Sequence, residues 1–90
     1  MTKIIIKNVG DEFECDFFVG GEFQYCNYRF EVISIREKSI TLRELDEGVK
    51  FWTKIRSGRY PDERYIQFKF DGNKCCDTIQ ITNQKNEEIA

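Results

Sequence analysis

Ninety residues with a net charge of −2, from 14 basic and 16 acidic side chains, have room for one core and one domain. A chain of this size buries only about 60–65% of its unfolded surface, so its 14% aromatic content (eight Phe, four Tyr, one Trp) matters for building a sufficient core. The acidic balance argues against a general nucleic-acid binder, which is basic overall. The absence of histidine removes Ser-His and Cys-His nucleophile pairs, His-based acid–base chemistry and most zinc or iron sites.

Alternation of apolar and polar residues begins almost at once. Residues 2–8 read as a first strand around Ile4-Ile5-Ile6, with Val9-Gly10-Asp11 as the turn. Residues 12–18 form a second strand running back, with Phe13, Cys15 and Phe17 on one face and Glu12, Glu14 and Asp16 on the other. A period of two is the side-chain geometry of a half-buried strand. Gly20-Gly21 breaks the pattern, Phe23-Gln24-Tyr25 follows, and a tight turn is expected at Cys26-Asn27.

Residues 28–35, rich in β-branched and aromatic side chains, make the strongest strand. Its apolar positions change face near Val32-Ile33, which predicts a β-bulge or burial of both faces. Arg36-Glu37-Lys38 turns the chain into a strand at 39–45, and Asp46-Glu47-Gly48 leads into another at 49–55. The longest loop runs from Arg56 to Arg64 and holds Gly58 and the sole proline, Pro61. Strands at 65–70 and 74–81 then flank Asp71-Gly72-Asn73, a strong hairpin signal because Asp-Gly tolerates positive φ at both central positions.

No apolar repeat of helical period spans three turns. About seven short strands joined by short turns predict an all-β fold: a small antiparallel β-barrel, SH3-like or six- to seven-stranded. Closure removes exposed edges and so favours a barrel over an open sheet. The barrel domain is expected over residues 1–81, with a polar tail over 82–90.

The candidate chemistry is sparse. The opening residues 1–7 contain no signal-like or membrane-spanning apolar run, which leads to an expectation of a cytoplasmic protein with four free thiols: Cys15, Cys26, Cys75 and Cys76. The cysteine spacing lacks two close pairs of the C-x₂₋₄-C kind, and adjacent Cys75 and Cys76 point to opposite faces of a strand, so no metal site is expected. Cys15 and one of the neighbouring pair read as small core side chains, and Cys26 as the reactive thiol of a turn. No acid is expected on an apolar strand face where burial would tune it for catalysis, so no catalytic residue, cofactor or enzymatic activity is expected.

The best binding candidate is the segment holding Trp52, Arg56, Arg59, Tyr60 and Arg64. Trp52 is out of phase with Val49, Phe51 and Ile55 and therefore faces outward, and the three arginines are expected to surround Tyr60 on the loop. Arginines form planar, bidentate hydrogen bonds to carboxylate or phosphate, and Trp, Tyr and Arg dominate protein–protein hot spots. The acidic face of Glu12, Glu14 and Asp16 points the other way, towards a basic partner or simple solubility.

Residues 32–42, Val32-Ile33-Ser34-Ile35-Arg36-Glu37-Lys38-Ser39-Ile40-Thr41-Leu42, resemble the central strand pair of the PilZ domain, a six-stranded barrel that binds cyclic di-GMP. In that family the stretch reads D/N-x-S-x-x-G; here Ser34, Arg36 and Ser39 occupy the motif positions, and the upstream R-x-x-x-R pair is reduced to Arg29. The resemblance therefore implies a barrel and carries over no ligand. The Phe-Val-Gly-Gly-Glu-Phe segment leading into residues 30–35 is similar to the opening hairpins of SH3-like barrels, again a likeness of barrel type only.

The sequence thus leads to an expectation of a non-enzymatic binding module acting through protein–protein interaction, with the accessory or inhibitory proteins of a bacterium or phage as the subtype its composition fits. The alternative is a pocket for an anionic small molecule or nucleotide built from the same arginines and aromatics. Nucleic acid ranks third as a partner, no membrane partner is expected, and the oligomeric state stays open.

Overall fold

The computed structural model describes residues 3–19, 22–60 and 63–82. They form ten strands and no helix: β1 (Lys3–Ile6), β2 (Glu12–Val19), β3 (Glu22–Ile35), β4 (Ser39–Glu44), β5 (Lys50–Lys54), β6 (Arg56–Ser57), β7 (Arg64–Ile66), β8 (Lys69–Phe70), β9 (Asn73–Cys75) and β10 (Thr78–Ile81). Six of them make a curled antiparallel sheet in the order β5-β4-β3-β2-β9-β8, a half-barrel. The other four make a second sheet, β1-β10-β7-β6. The all-β, barrel-like reading of the sequence holds.

The half-barrel is built on alternation. Along β2 and β4 the inward positions Cys15, Phe17, Ile40 and Leu42 are buried, and the intervening side chains are partly or fully exposed. Phe30 on β3 is wholly buried, with Phe13, Phe17, Phe51, Phe68 and Phe70 around it at ring-centroid distances of 5.4–6.0 Å. Truncating such a ring to alanine costs about 3–5 kcal/mol, a large share of the roughly 5–13 kcal/mol expected for a domain of this length.

Two local devices appear where the sequence places them. The register between β3 and β4 shifts between Val32 and Ser34, which is the β-bulge expected from the change of apolar face. Asp71 and Gly72 both have positive φ (56° and 78°) and close a two-residue hairpin in which Phe70 faces Asn73.

Four expectations need correction. No turn forms at Cys26-Asn27: β3 runs straight through, with Cys26 opposite Phe17 and Asn27 opposite Asp16, because pairing along the length of β2 outweighs the local turn preference. The first strand does not pair back onto the second; β1 joins the other sheet, parallel to β10, with Ile4 opposite Ile79 and Ile6 opposite Ile81. The strand foreseen at 65–70 divides at Gln67-Phe68 into β7 and β8, and that at 74–81 divides at Cys76-Asp77 into β9 and β10, each break carrying the chain from one sheet to the other. The long loop is partly a small hairpin, with Arg56 opposite Tyr65 and Ser57 opposite Arg64. The polar tail at 82–90 falls, beyond Thr82, outside the described residues, as do Gly20-Gly21 and Pro61.

One buried acid also departs from expectation. Glu44 is the last inward residue of β4, in phase with Ile40 and Leu42, and is 2% exposed. Its carboxylate accepts hydrogen bonds from the backbone N–H groups of Asp46 (3.1 Å) and Glu47 (2.7 Å). Glu44 therefore organises the β4–β5 turn; its lone pairs are used locally by the backbone.

Candidate functional site

The curl of the six-stranded sheet brings its two outer strands, β5 and β8, face to face without joining them. Phe51 of β5 lies 5.6 Å from Phe68 and 5.3 Å from Phe70, centroid to centroid, yet among the described residues no backbone hydrogen bond links the two strands. Between them is an open cleft of about 430 Å³. Phe51 and Phe68 contribute aromatic surface to it, and Trp52, Arg56, Lys69 and Lys74 line it as well. Every charged residue lining this cleft is basic.

The strand geometry explains this arrangement. Lys50, Trp52 and Lys54 alternate with Phe51 and Thr53, so the inward phase of Phe51 leaves Trp52 outside, 65% exposed. Lys69 and Lys74 stand directly opposite each other across the Asp71-Gly72 hairpin. Like charges in directly opposed positions disfavour a strand pair, and no carboxylate among the described residues forms an ion pair with either lysine.

The five residues singled out from sequence do not form one cluster. Trp52 and Arg56 share the cleft. Arg59 and Tyr60 are exposed on the β6–β7 loop, where their backbone N–H groups donate to Glu63 Oε1 at 2.7 and 3.3 Å. Gly58 closes the same loop, its N–H donating to the Glu63 carbonyl at 2.9 Å, and a Cβ there would lie 2.6 Å from Glu63 Cβ. Arg64 serves the fold: its guanidinium donates to the carbonyls of Arg36 (2.8 Å) and Glu37 (3.2 Å), tying the β3–β4 turn to the second sheet. Arg56 and Arg64 are thus engaged at the cleft and at the β3–β4 turn respectively.

Sequence reasoning missed Lys69 and Lys74, which join the site only through the hairpin register and the curl of the sheet. An Asp-Gly turn with a lysine two residues to either side was the available signal. On the acidic face of β2, Glu14 and Asp16 stand opposite basic and polar residues of β3. Asp16 accepts from Asn27 Nδ2 at 2.8 Å, Glu14 stands opposite Arg29, and Glu31 of β3 pairs with Arg43 of β4. The face stays acid-rich all the same, since Glu12 stands opposite Glu31 and the Arg29 guanidinium pairs with Asp46.

A second grouping lies under the cleft. The sulfurs of Cys15 and Cys75 and a carboxylate oxygen of Asp77 are all within 4.8 Å of one another. Cys15 is 1% exposed and Cys75 half-buried, at the cleft wall. A hydrogen bond between the two thiols, followed by burial, pushes Cys15 up, and the same bond holds Cys75 below its ordinary value. Cys26, expected in a turn, sits in β3 and is only partly exposed.

Comparison of the chain with family models, with curated proteins and with solved structures gives no match.

Proposed function

We propose that this chain is a non-enzymatic binding module that receives an extended acidic segment of a protein partner in the seam between β5 and β8. The observation that carries this reading is the opposed pair Lys69 and Lys74, facing Trp52 and Arg56 across a cleft with aromatic walls and no lining acid. An added strand supplies main-chain hydrogen bonds to a sheet edge, while alternate side chains fill pockets. Here apolar side chains would pack on Phe51 and Trp52 and carboxylates would meet the cations. Trp52 and Arg56 belong to the residue types that anchor interfaces. The cytoplasmic setting and the bacterial or phage accessory role belong to the same proposal and rest on composition.

The alternative ligand, an anionic small molecule or nucleotide, is favoured by one observation: about 430 Å³ is within the range of small-ligand sites. The two readings separate experimentally. Random octapeptides displayed on phage are selected against the protein and counter-screened with Trp52→Ala. Enrichment of peptides alternating Asp or Glu with apolar residues, dependent on Trp52, supports the strand reading. Quenching of Trp52 emission by nucleotides, abolished by Arg56→Lys, with no peptide enriched, would replace it with the nucleotide reading, since lysine lacks the planar guanidinium fork.

A further inference from the structure

We propose that Cys15, Cys75 and Asp77 form a three-ligand site for a thiophilic divalent cation of the Zn²⁺ type. The grouping arises from a register and a bend. Phe17 of β2 stands opposite Cys75 of β9, so Cys15, two residues along β2, is the diagonal neighbour of Cys75 on the inward face. The chain then bends: β9 ends at Cys75, and the Cys76 N–H donates to the Asp16 carbonyl at 2.8 Å. That bend turns the Asp77 carboxylate back towards both sulfurs.

The spacing suits a bridging ion better than a disulfide. Diagonal cross-strand neighbours are about 7–8 Å apart at Cα, beyond the roughly 4.4–6.8 Å that a disulfide spans. A tetrahedral zinc ion, with Zn–S near 2.3 Å and Zn–O near 2.1 Å, holds its ligand atoms about 3.6–3.8 Å apart. The three donor atoms here are already within 4.8 Å, so small side-chain rotations would close the site.

The carboxylate is oriented as a ligand should be. Asp77 Oδ2 accepts the Asp16 backbone N–H at 2.8 Å, which fixes the carboxylate plane and leaves further lone pairs for an ion. Two thiolates and a carboxylate bring three negative charges to one divalent ion, and this soft–borderline donor set selects against Mg²⁺ and Ca²⁺. Cys75 lines the cleft, which gives an ion its route in and a solvent water its place as fourth ligand. The remaining cysteines are outside the group: Cys26 is engaged with Tyr28, and Cys76 lies next to Phe18.

The test uses the reduced, metal-free full chain titrated with Co²⁺ and then Zn²⁺. The expected result is one Co²⁺ per chain, with a sulfur-to-cobalt charge-transfer band and tetrahedral visible absorption, both displaced by Zn²⁺, together with a raised melting temperature. The double variant Cys26→Ser, Cys76→Ser should bind as the parent does. Cys75→Ser and Cys15→Ala should each lose the band, and Asp77→Asn should weaken binding by about tenfold or more. Either cysteine variant is sufficient should the other fail to fold. Unchanged cobalt binding in Cys75→Ser, absence of a thiolate band, or loss of binding in the Cys26→Ser, Cys76→Ser protein would overturn the assignment. So would a Cys15–Cys75 disulfide in a chain that takes up no metal when reduced.

Discussion

Phe51 and Phe68 meet at 5.6 Å across a seam that, among the described residues, no backbone hydrogen bond spans. The two outer strands thus touch through their rings at a place where their backbones do not pair, with the cleft open beside the contact. Unpaired edges invite a further strand, and this one is bordered by Trp52, Arg56, Lys69 and Lys74.

Trp52 should separate folding from binding. At 65% exposure it contributes little to the core, and surface substitutions of this kind change stability by only about ±0.5 kcal/mol. Trp52→Ala is expected to melt within a few degrees of the parent while losing peptide binding in the displayed-library assay. A large fall in melting temperature would mean that the indole closes the barrel end.

Glu44 should behave in the opposite way. Glu44→Ala removes the acceptor for the Asp46 and Glu47 N–H groups and leaves a gap beside Leu42. A loss of about 1–3 kcal/mol is expected, read as a lower midpoint in urea denaturation. An unchanged midpoint would show that water replaces the carboxylate without cost.

The Asp71-Gly72 hairpin fixes the register that opposes Lys69 to Lys74. Gly72 has φ 78°, which a β-branched residue adopts only under strain. Gly72→Val should therefore lower stability by about 1–3 kcal/mol and weaken binding through the displaced lysines. Unchanged thermal melting would refute the turn geometry.

The thiols should react in a fixed order in metal-free protein. The thiolate is the reactive form, so a thiol held below its ordinary value reacts at a lower pH than one pushed above it. Cys75 is lowered by the hydrogen bond from Cys15, and Cys15 is raised by the same bond and by burial. Peptide-resolved mass spectrometry after iodoacetamide treatment between about pH 6 and 10 should show Cys75 modified before Cys15, which stays protected until the chain unfolds. Modification of Cys15 ahead of Cys75 would contradict this order.

Much of the half-barrel was legible in the sequence because its signals are local. Alternation at Phe13-Cys15-Phe17 and Ile40-Leu42 marks inward faces, the change of phase at Val32-Ile33 marks the bulge, and Asp71-Gly72 marks the hairpin. Other features depend on partners distant in sequence. Cys26-Asn27 looks like a turn until β2 pairs along it, and nothing near Gln67-Phe68 or Cys76-Asp77 says that the chain changes sheets there. Trp52 and Arg56 were candidates from phase and residue type, and Lys69 and Lys74 come to line the same cleft only through the curl of the sheet. The hydrogen bonds from Arg64 to the carbonyls of Arg36 and Glu37 are of the same kind, since no sequence pattern reveals those acceptors. Asp77 escaped notice because the cysteine spacing directs attention to sulfur alone.

The most direct test of the seam is hydrogen exchange of the full chain with and without a selected acidic peptide. Strand addition should slow amide exchange in residues 50–54 and 68–70, on the two sides of the cleft, and leave β1 and β10 unchanged. Slowed exchange confined to the β6–β7 loop around Arg59 and Tyr60, with β5 and β8 unaffected, would show that the partner binds elsewhere and that the open seam is not the site.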